Sequence, residues 1–472
     1  EIASCLVGSE MCIRDRLLTT IPYNRHYLLI KSQAMLKRNI LPDHLTALES
    51  ELLNKKTQIE CWLQHEWNSH SPPFYGSVDL RNAGYKIGPI DMNLFPGGFN
   101  NLNHSFLTDA VIAMQKAVHK VCQAKSVLII PENHTRNTFY LENVYSLQQI
   151  LLKAGFETRI GTLVSEHAGV LKIQNNHKIT LEAIKRKDNR LYLQDGFSPC
   201  IILLNNDLSA GIPDILQGLQ QNITPPLFAG WTTRRKSQHF FWYQKIVQRL
   251  SKTIALDGWL INPYYEVHKN LDLSEVTVLT QLSDKAAYLL SKISEKYREY
   301  GIKDKAFLIM KANAGTYGMG VMTVRSPNDI LQLNRKARNK MSTTKEGLPI
   351  QDVILQEGIY TYEQINGGVA EPVVYMVDQF VVGGFYRIHE GRGNDENLNA
   401  SGMQFTPIKS DVSTVQHDEQ DKQHHFTCWQ QPALPSDQLR SDDKENRFYI
   451  YGLIARLSLL AAALEIEHTC AQ

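Results

Sequence analysis

The sequence predicts an α/β fold joined to an α+β fold, with a parallel α/β unit preceding a unit of antiparallel strands. Short apolar runs alternate with helical patterns between residues 126 and 221, which is typical of a parallel sheet. A second series of strands follows residue 305 with mostly short connections, as antiparallel pairing allows. A glycine-rich stretch joins two strands of this second series, and a long apolar helix closes the sequence.

The composition is that of an ordinary soluble globular protein. The 472 residues are 43% hydrophobic and 21% charged, with a formal net charge of +2. So balanced a charge argues against a nucleic-acid partner. The longest apolar run, 451–466, is interrupted by Arg456 and is short for a bilayer, which predicts a buried helix and no membrane partner. Assembly of the chain into a homo-oligomer remains an open alternative.

The seven cysteines are scattered along the chain without a CxxC spacing. This pattern predicts a reducing, cytoplasmic location and neither a disulfide framework nor a zinc site. The first residues, "EIASCLVGSEMCIRDR", lack a starting Met and the apolar core of a signal peptide, which predicts a non-native leader. The predicted regions are the leader 1–16, a helical and substrate-loop region 17–122, a parallel α/β domain 123–258, and an antiparallel domain with a C-terminal helix 259–472.

In the first half, residues 34–69 have helical spacing, and residues 77–103 are rich in Pro, Gly and Asn. So long a loop is usually functional, and its interleaved apolar residues favour an ordered one. Polar segments, "PENHTRN" and "NNDLSAG", follow two strand ends, where parallel sheets place their ligands. The predicted elements of the parallel unit are strands at 126–130, 157–163 and 200–207 and helices at 141–154 and 213–221.

In the second half, a helix is predicted over 280–299, followed by the strands "AFLIMKA", "VILQEGI", "VVYMVDQFVVGGFYRIHE" and "SGMQFTPI". The long third run needs a break, and the Gly383-Gly384 pair predicts a hairpin turn there. The stretch "KANAGTYGMGV", 311–321, joins two of the strands. Its glycines let backbone N–H groups surround an anion, and Lys311 supplies a point charge for phosphate.

The order of residues in this glycine loop excludes two common phosphate motifs. A Walker A loop ends in Lys-Ser/Thr, and the kinase loop has its lysine downstream, whereas Lys311 lies upstream. A plain flexible hairpin remains an equal alternative for the loop alone. Downstream, Glu357 ends a strand and could meet a ribose or adenine edge, and Asp378 and Arg387 follow across a hairpin.

The segment "GNDENLNASG" predicts a magnesium site, because carboxylates and an amide oxygen are hard ligands that suit Mg²⁺ beside nucleotide phosphates. Asp395, Glu396 and Asn397 are the candidates, with a solvated Asx-rich turn as the alternative. A histidine-rich stretch containing His417, His424 and His425 is interpreted as a polar loop rather than a second metal cluster.

Together these residues resemble the ATP-grasp carboxylate–amine ligases, and "NPYYEVHKN" resembles the segment that makes Lys269 a second phosphate lysine. More closely, the chain resembles the proteobacterial type of glutamate–cysteine ligase, from about residue 18 onward. The segments that carry this resemblance are "DLRNAGYKIGPIDMNLFPGGFNNL", "GWTTRRKSQHF", "KANAGTYGMGV" and "DENLNASGM". It implies an ATP-grasp-like second domain and ATP- and Mg²⁺-dependent joining of the glutamate γ-carboxylate to the cysteine amine, the first step towards glutathione.

The resemblance also implies roles for individual residues. Lys269 and Lys311 would bind phosphate, with Arg387 touching the transferred group and Arg81, Lys86 and Asn100 binding glutamate. The remaining nucleotide contacts would be Gly315, Tyr317, Gly318, Gly320 and Glu357, and the metal ligands Asp378, Asp395, Glu396 and Asn397. Arg234, Arg235 and Lys236 form a second basic cluster that could meet the glutamate α-carboxylate, and solvated surface charge is the favoured interpretation of each. Two alternatives stay open: a glutathione synthetase-like or other ATP-grasp ligase, and a nucleotide-binding regulatory protein without turnover.

Overall fold

Long strands and one C-terminal helix organise the chain. The computed structural model describes residues 43–123, 125–133, 136–315, 320–342, 349–408 and 443–470. The predicted leader 1–16 and the three histidines of the polar loop lie outside these residues.

Nine α-helices and eighteen strands are present within the described residues. The helices are α1 Asp43–Asn54, α2 Lys56–Ser69, α3 Leu107–Val121, α4 Thr138–Lys153, α5 Lys236–Ile254, α6 Val276–Glu299, α7 Asn328–Leu331, α8 Arg335–Ser342 and α9 Asp443–Cys470. The strands are β1 Tyr75–Asn82, β2 Ile87–Asn93, β3 Ser126–Pro131, β4 Glu157–Thr162, β5 Gly169–Lys172, β6 Lys178–Ala183, β7 Lys185–Lys187, β8 Arg190–Tyr192, β9 Ile201–Asn205, β10 Asn222–Thr224, β11 Tyr265–His268, β12 Leu308–Ala312, β13 Met322–Val324, β14 Val353–Glu357, β15 Gln364–Ile365, β16 Gly368–Val377, β17 Phe380–His389 and β18 Gln404–Pro407.

The predicted parallel α/β unit is confirmed. Its sheet has the order β10-β9-β3-β4-β6-β5, with every pair parallel except β5 and β6. Helix α4 begins after Asn137, whose side chain accepts a hydrogen bond from the backbone N–H of Tyr140 at 3.1 Å. The helix ends before Gly155, which has a φ of +90°. Apolar residues of α3 and α4 form one core with this sheet.

The helix predicted at 213–221 is wrong, because only a 3₁₀ turn, Asp214–Leu216, forms there. Pro213 precedes the turn and Gly218 has a φ of +63°, so the chain leaves helical geometry within a few residues. The Arg186 guanidinium donates hydrogen bonds to three carbonyl oxygens of this segment, those of Asp214, Ile215 and Gln217.

A central antiparallel sheet has the order β18-β17-β16-β1-β2, with β15 paired to β16. The long loop predicted over 77–103 is therefore wrong in its first part, where β1 and β2 form a hairpin. Strand β1 is buried along its whole length, so its polar residues lie inside the fold as well as its apolar ones. Phe99, just after the hairpin, is buried as expected for an ordered segment.

The hairpin turn predicted at Gly383-Gly384 is also displaced. The turn lies at Asp378 and Gln379, and the two glycines lie inside β17, where Gly383 pairs with Tyr375. Gly383 has a φ of +128°, and a Cβ there would be 3.1 Å from the Phe106 ring. The glycines therefore make room for packing against the sheet instead of reversing the chain.

The predicted antiparallel sheet around the glycine loop is confirmed as a four-stranded sheet, β11-β14-β12-β13. Helix α6 packs against it. Helix α9 packs across the central sheet and against α5. Residues Arg447–Cys470 of α9 are long and apolar enough to cross a membrane, but 78% of the most apolar window is buried within the fold, as in a core helix.

The prediction of no disulfide framework stays a prediction, but within the described residues one pair of cysteines is brought together. Cys122, which follows α3, and Cys200, which precedes β9, have their sulfur atoms in contact and their Cα atoms 6.6 Å apart, a spacing that a disulfide can span. The pair lies 78 residues apart in sequence, so spacing alone gives no signal for it.

Candidate active site

Strand register gathers charged side chains on one face of the central sheet. Asp79 pairs with Asp91 across β1 and β2, and Glu371 pairs with Arg387 across β16 and β17. Cross-strand partners share a face, and Arg81 lies two residues after Asp79 on the same strand. The opposite face packs on α9, where the Asn82 amide donates to the Tyr451 hydroxyl at 3.0 Å.

Two arginines and two carboxylates form a continuous network on this face. The Arg387 guanidinium donates to Asp79 at 2.9 Å and to Glu371 at 2.7 Å. The second oxygen of Glu371 accepts from Arg81 Nε at 2.9 Å. Burial raises the pKa of the Asp79 carboxyl despite the neighbouring Arg387. The Nε of Arg387 is buried without a partner among the described residues, so this guanidinium retains a donor.

Two lysines approach neighbouring residues of β2. Lys311, at the end of β12, donates from Nζ to the Ile90 carbonyl at 2.5 Å. Lys236, the first residue of α5, lies 2.7 Å from both carboxylate oxygens of Asp91. Burial lowers the pKa of Lys311 to about 8. Burial alone would raise the pKa of the Asp91 carboxyl, but the two lysines beside it bring the value below the ordinary range.

The interpretation of residues 234–236 as surface charge is wrong for two of the three. Lys236 is buried on Asp91, and Arg234 is buried in a bidentate pair with Glu465, at 3.0 and 3.1 Å. Only Arg235 is partly exposed, donating to backbone carbonyls of its own turn. A basic run on a loop ahead of a helix gave no sequence signal of these carboxylate partners.

The acidic segment 394–397 contacts the charged face through Arg81. The Arg81 guanidinium donates to the carbonyls of Asn394, at 3.2 Å, and Glu396. Asp395 pairs with Arg325, which follows β13, and Glu396 lies 3.4 Å from Arg392. Through Arg325, the chain that follows β13 of the four-stranded sheet is thereby joined to the acidic segment.

These residues partly satisfy the requirements of Mg²⁺. Oxygens of Asp395 and Glu396 lie 3.2 and 3.6 Å from the position that a Cβ on Gly393 would occupy, and the Glu396 oxygen accepts from the Gly393 N–H at 2.7 Å, so both carboxylates lie beside Gly393. One or two carboxylates beside nucleotide phosphates are a usual Mg²⁺ environment. The Asn397 side-chain oxygen accepts from the Asn399 N–H at 3.0 Å, forming the alternative Asx turn. Among the described residues, no group of three or more His, Cys, Asp or Glu side chains is placed to hold a metal.

Asp378 is not brought to this segment. It lies in the turn between β16 and β17, and its carboxylate is 2.5 Å from Lys120. The acidic segment follows the other end of β17, about 30 Å away for a ten-residue strand.

Lys86 and Glu357, predicted to meet glutamate and adenosine respectively, instead meet each other. Their charged atoms are 2.9 Å apart and both side chains are buried. Glu357 also accepts from Trp259 Nε1 at 3.1 Å and from the Tyr264 N–H at 2.9 Å. Burial lowers the pKa of Lys86 to about 8.

The remaining predicted residues are partly accessible or lie outside the described residues. Lys269 is exposed just after β11. Strands β11 and β12 finish at the same end of the four-stranded sheet, where both pair with Val353. Asn100 is half-buried in a 3₁₀ turn. Gly315 and Gly320, on either side of the loop, have φ values of +89° and +62°. Tyr317 and Gly318 lie outside the described residues.

Sequence reasoning missed Asp79, Asp91 and Glu371. The first two lie in the segments "VDLRN" and "PIDMN", where charges alternate with apolar residues, a pattern that predicts one polar strand face. Glu371 stands alone in an apolar strand, and a buried carboxylate in such a place requires a cationic partner.

Comparison with known proteins assigns the chain to a family. The sequence model of the family described as glutamate-cysteine ligase matches residues 49–466. The chain belongs to the glutamate–cysteine ligase family. The enzyme is thus a ligase that forms a C–N bond between glutamate and cysteine with the use of ATP, the first step of glutathione biosynthesis. Its substrates are small molecules.

One solved structure agrees with this assignment. A Methylobacillus flagellatus KT protein, provisionally assigned as a gamma-glutamylcysteine synthetase, is 50% identical, with 91% of this chain and 98% of that chain covered and a TM-score of 0.80. A glutathione synthetase-like effector from Globodera pallida is 10% identical over 74% of this chain and 84% of its own, with a TM-score of 0.36. D-alanyl-alanine synthetase A from Vibrio cholerae is 12% identical over 54% and 67%, with a TM-score of 0.27. The last two scores carry no argument. No curated protein matches the chain.

Proposed function

We propose that the glutamate γ-carboxylate is phosphorylated by ATP at the charged face of the central sheet, and that the cysteine amine then displaces phosphate. One observation carries this proposal: Lys311, at the root of the glycine loop, reaches across to β2 beside the network of Asp79, Glu371 and Arg387. Two elements distant in sequence thus direct cations and carboxylates towards one region.

The chemistry requires charge neutralisation and alignment more than a general base. A carboxylate oxygen is a poor leaving group, so phosphorylation converts it into one, and the transferring group carries negative charge that cations must stabilise. Lys311 and Arg387 are proposed to contact the transferring phosphoryl group, and the accessible Lys269 and the backbone of Gly315 and Gly320 to contact the nucleotide. The glycine loop, with Tyr317 and Gly318, is proposed as the nucleotide contact that excludes water.

We assign Mg²⁺ to the carboxylates of Asp395 and Glu396, with the Asn397 amide oxygen as a further candidate ligand. Their convergence beside Gly393 supports this assignment. Bound there, the metal would supply positive charge to the nucleotide phosphates. Asp378 lies in the turn before β17, too far from the acidic segment to share this ion, and we assign it to its ion pair with Lys120.

For glutamate, the predicted residues divide into a contact and two supports. Asn100 is partly exposed and is proposed to touch the substrate. Arg81 and Lys86 are committed to Glu371 and Glu357, so we propose that they hold the walls of the site. Glu357, buried under Lys86, is proposed to support the adenosine-binding end of the cleft in the same way. We also propose a cytoplasmic enzyme, since ATP and free amino acids are its substrates, with no nucleic-acid or membrane partner; assembly into a homo-oligomer is compatible with this proposal.

Isotope transfer tests the proposed chemistry. Glutamate labelled with ¹⁸O in its γ-carboxylate should pass one label to inorganic phosphate during turnover with ATP and cysteine. Glycine with γ-glutamylcysteine should not replace glutamate with cysteine in ADP release. Product formation without ¹⁸O in phosphate would exclude the acyl phosphate, and equal turnover of the second pair would assign the enzyme to a different ligation.

A further inference from the structure

Lys236 is a buried lysine near Lys311, at the proposed phosphate site. Its side chain is 6% exposed, and Nζ is 2.7 Å from each oxygen of Asp91 and 4.3 Å from the centre of the Trp231 ring. A surface lysine samples many rotamers, whereas this one is held at one place by a carboxylate and an aromatic face.

The two buried lysines bind adjacent residues of one strand. Lys236 pairs with the Asp91 side chain, and Lys311 pairs with the Ile90 carbonyl, so the ammonium groups approach β2 side by side. Their proximity is unfavourable and contributes to lowering the pKa of Lys311. Asp91 lies close to both cations, and Asp79 also acts on Lys311, so two cations and two carboxylates surround the place where Lys311 reaches β2.

Asn313 holds this arrangement together from behind. Its carbonyl accepts from the Lys236 N–H at 2.7 Å, its side-chain oxygen accepts from the Ser237 N–H at 2.9 Å, and its amide donates to the Ser237 hydroxyl at 2.9 Å. Asn313 lies two residues after Lys311 and is 2% exposed. The end of β12 and the first turn of α5 are therefore fixed to each other, with one lysine on each.

We propose that Lys236 is a further phosphate-binding lysine of the active site, in addition to Lys311 and Lys269, and that Asn313 positions it beside Lys311. This inference rests on the proposed function, because it takes the region around Lys311 as the phosphate site. An ammonium group has three N–H donors. Lys236 directs its donors to the two Asp91 oxygens and Lys311 directs one to the Ile90 carbonyl, so each lysine keeps a donor for a nucleotide phosphate. Lys236 differs from the exposed Lys269 in that folding alone fixes its position.

The test uses matched variants of the full chain. Lys236→Met removes the charge and retains an unbranched side chain of similar length, and Lys236→Arg retains the charge. Lys245→Met on the same helix α5 is the control, because Lys245 is exposed and has no carboxylate partner among the described contacts. Steady-state KM for ATP, glutamate and cysteine, kcat, and the affinity for ATP analogue with Mg²⁺ by calorimetry are measured for each.

We expect Lys236→Met to raise KM for ATP and weaken analogue binding by about tenfold or more, the loss of one charge-assisted contact, with little change in KM for cysteine. Lys236→Arg should recover most of this loss, and Lys245→Met should equal wild type. Asn313→Ala should raise KM for ATP by a smaller factor, since both lysines remain. Because Lys236→Met leaves Asp91 without its nearest partner, the double variant Lys236→Met/Asp91→Asn is compared with Asp91→Asn as a test that does not depend on the single variant folding.

A purely structural ion pair gives a different result. In that case Lys236→Met lowers thermal stability, the double variant restores it, and KM for ATP stays at the value of the Asp91→Asn enzyme, which overturns the inference. If Lys311→Met impairs ATP binding while Lys236→Met does not, only this inference fails. If neither lysine affects ATP binding, the proposed function fails with it.

Discussion

The ammonium nitrogen of Lys86 lies 2.9 Å from a carboxylate oxygen of Glu357, and both side chains are closed off from solvent. Lys86 also donates to the Asn262 carbonyl at 3.0 Å and lies 4.3 Å from the centre of the Trp259 ring. The pair with Glu357 joins the β1–β2 hairpin of the central sheet to β14 of the four-stranded sheet. The pair therefore connects the two sheets between which the proposed phosphate site lies.

Removing Lys86 should therefore affect stability first. Lys86→Met leaves the Glu357 charge buried and unpaired, and we expect a loss of about 3–5 kcal/mol in the free energy of unfolding. Urea unfolding followed by tryptophan fluorescence measures it. The double variant Lys86→Met/Glu357→Gln should recover a large part of the loss, since no charge then remains buried. If Lys86→Met instead has normal stability and a raised KM for glutamate alone, Lys86 binds the substrate.

The buried network around Glu371 predicts a different outcome for Arg387. Arg387→Lys retains the charge but cannot bridge Asp79 and Glu371 through a planar guanidinium, so kcat should fall by about tenfold or more. Circular dichroism and thermal unfolding should show a folded enzyme, since Arg81 still pairs with Glu371. As a control, Arg392→Lys alters an exposed arginine just before the acidic segment, retains its charge, and should leave kcat near wild type. Normal turnover by Arg387→Lys would exclude a role in phosphoryl transfer that depends on the guanidinium.

How far the sequence leads is shown by these same residues. The strand run ending in Lys311 and the glycines after it are local patterns, so the four-stranded sheet and its phosphate lysine could be predicted. The pairing of β1 with β16 joins residues about 300 positions apart, and no local pattern indicates that register. The partners of Arg81 and Arg387 depend on it, and the partner of Lys86 lies on β14 of a different sheet. This is why these cations were predicted to bind ligands and instead bind carboxylates.

A pH dependence follows from Lys311. Its pKa in the folded enzyme is about 8, lowered from 10.5 by burial, with Asp91 and Asp79 opposing the shift and Lys236 adding to it. The side chain is therefore charged below pH 8 and loses its proton as the pH rises through that value. We expect kcat/KM for ATP, which reports the free enzyme, to fall above pH about 8.

Two variants identify the lysine responsible for this decline. Lys311→Ala should reduce kcat/KM for ATP by more than about tenfold at pH 7 and abolish the alkaline decline. Lys311→Arg, which stays charged, should move the decline to higher pH. An alkaline decline that is unchanged in both variants would assign the titration to another group.

The assignment of Mg²⁺ to the acidic segment can be separated from its alternative, an Asx-rich turn. Asp395→Asn removes one of the two carboxylates that converge beside Gly393, and it should raise the Mg²⁺ concentration needed for half-maximal turnover by about tenfold. Asn397→Ala should raise it less, because the Asn397 oxygen is shared with the Asn399 N–H. Competition between Mn²⁺ and Mg²⁺, followed by the paramagnetic relaxation of water protons, gives the affinity independently of turnover. Asp378→Asn is the matched control, and it should leave the metal affinity unchanged because Asp378 lies at the opposite end of β17. If Asp395→Asn and Asn397→Ala titrate like wild type while Asp91→Asn does not, the metal lies on β2 beside the two lysines, and the acidic segment is a structural turn held by Arg81 and Arg325.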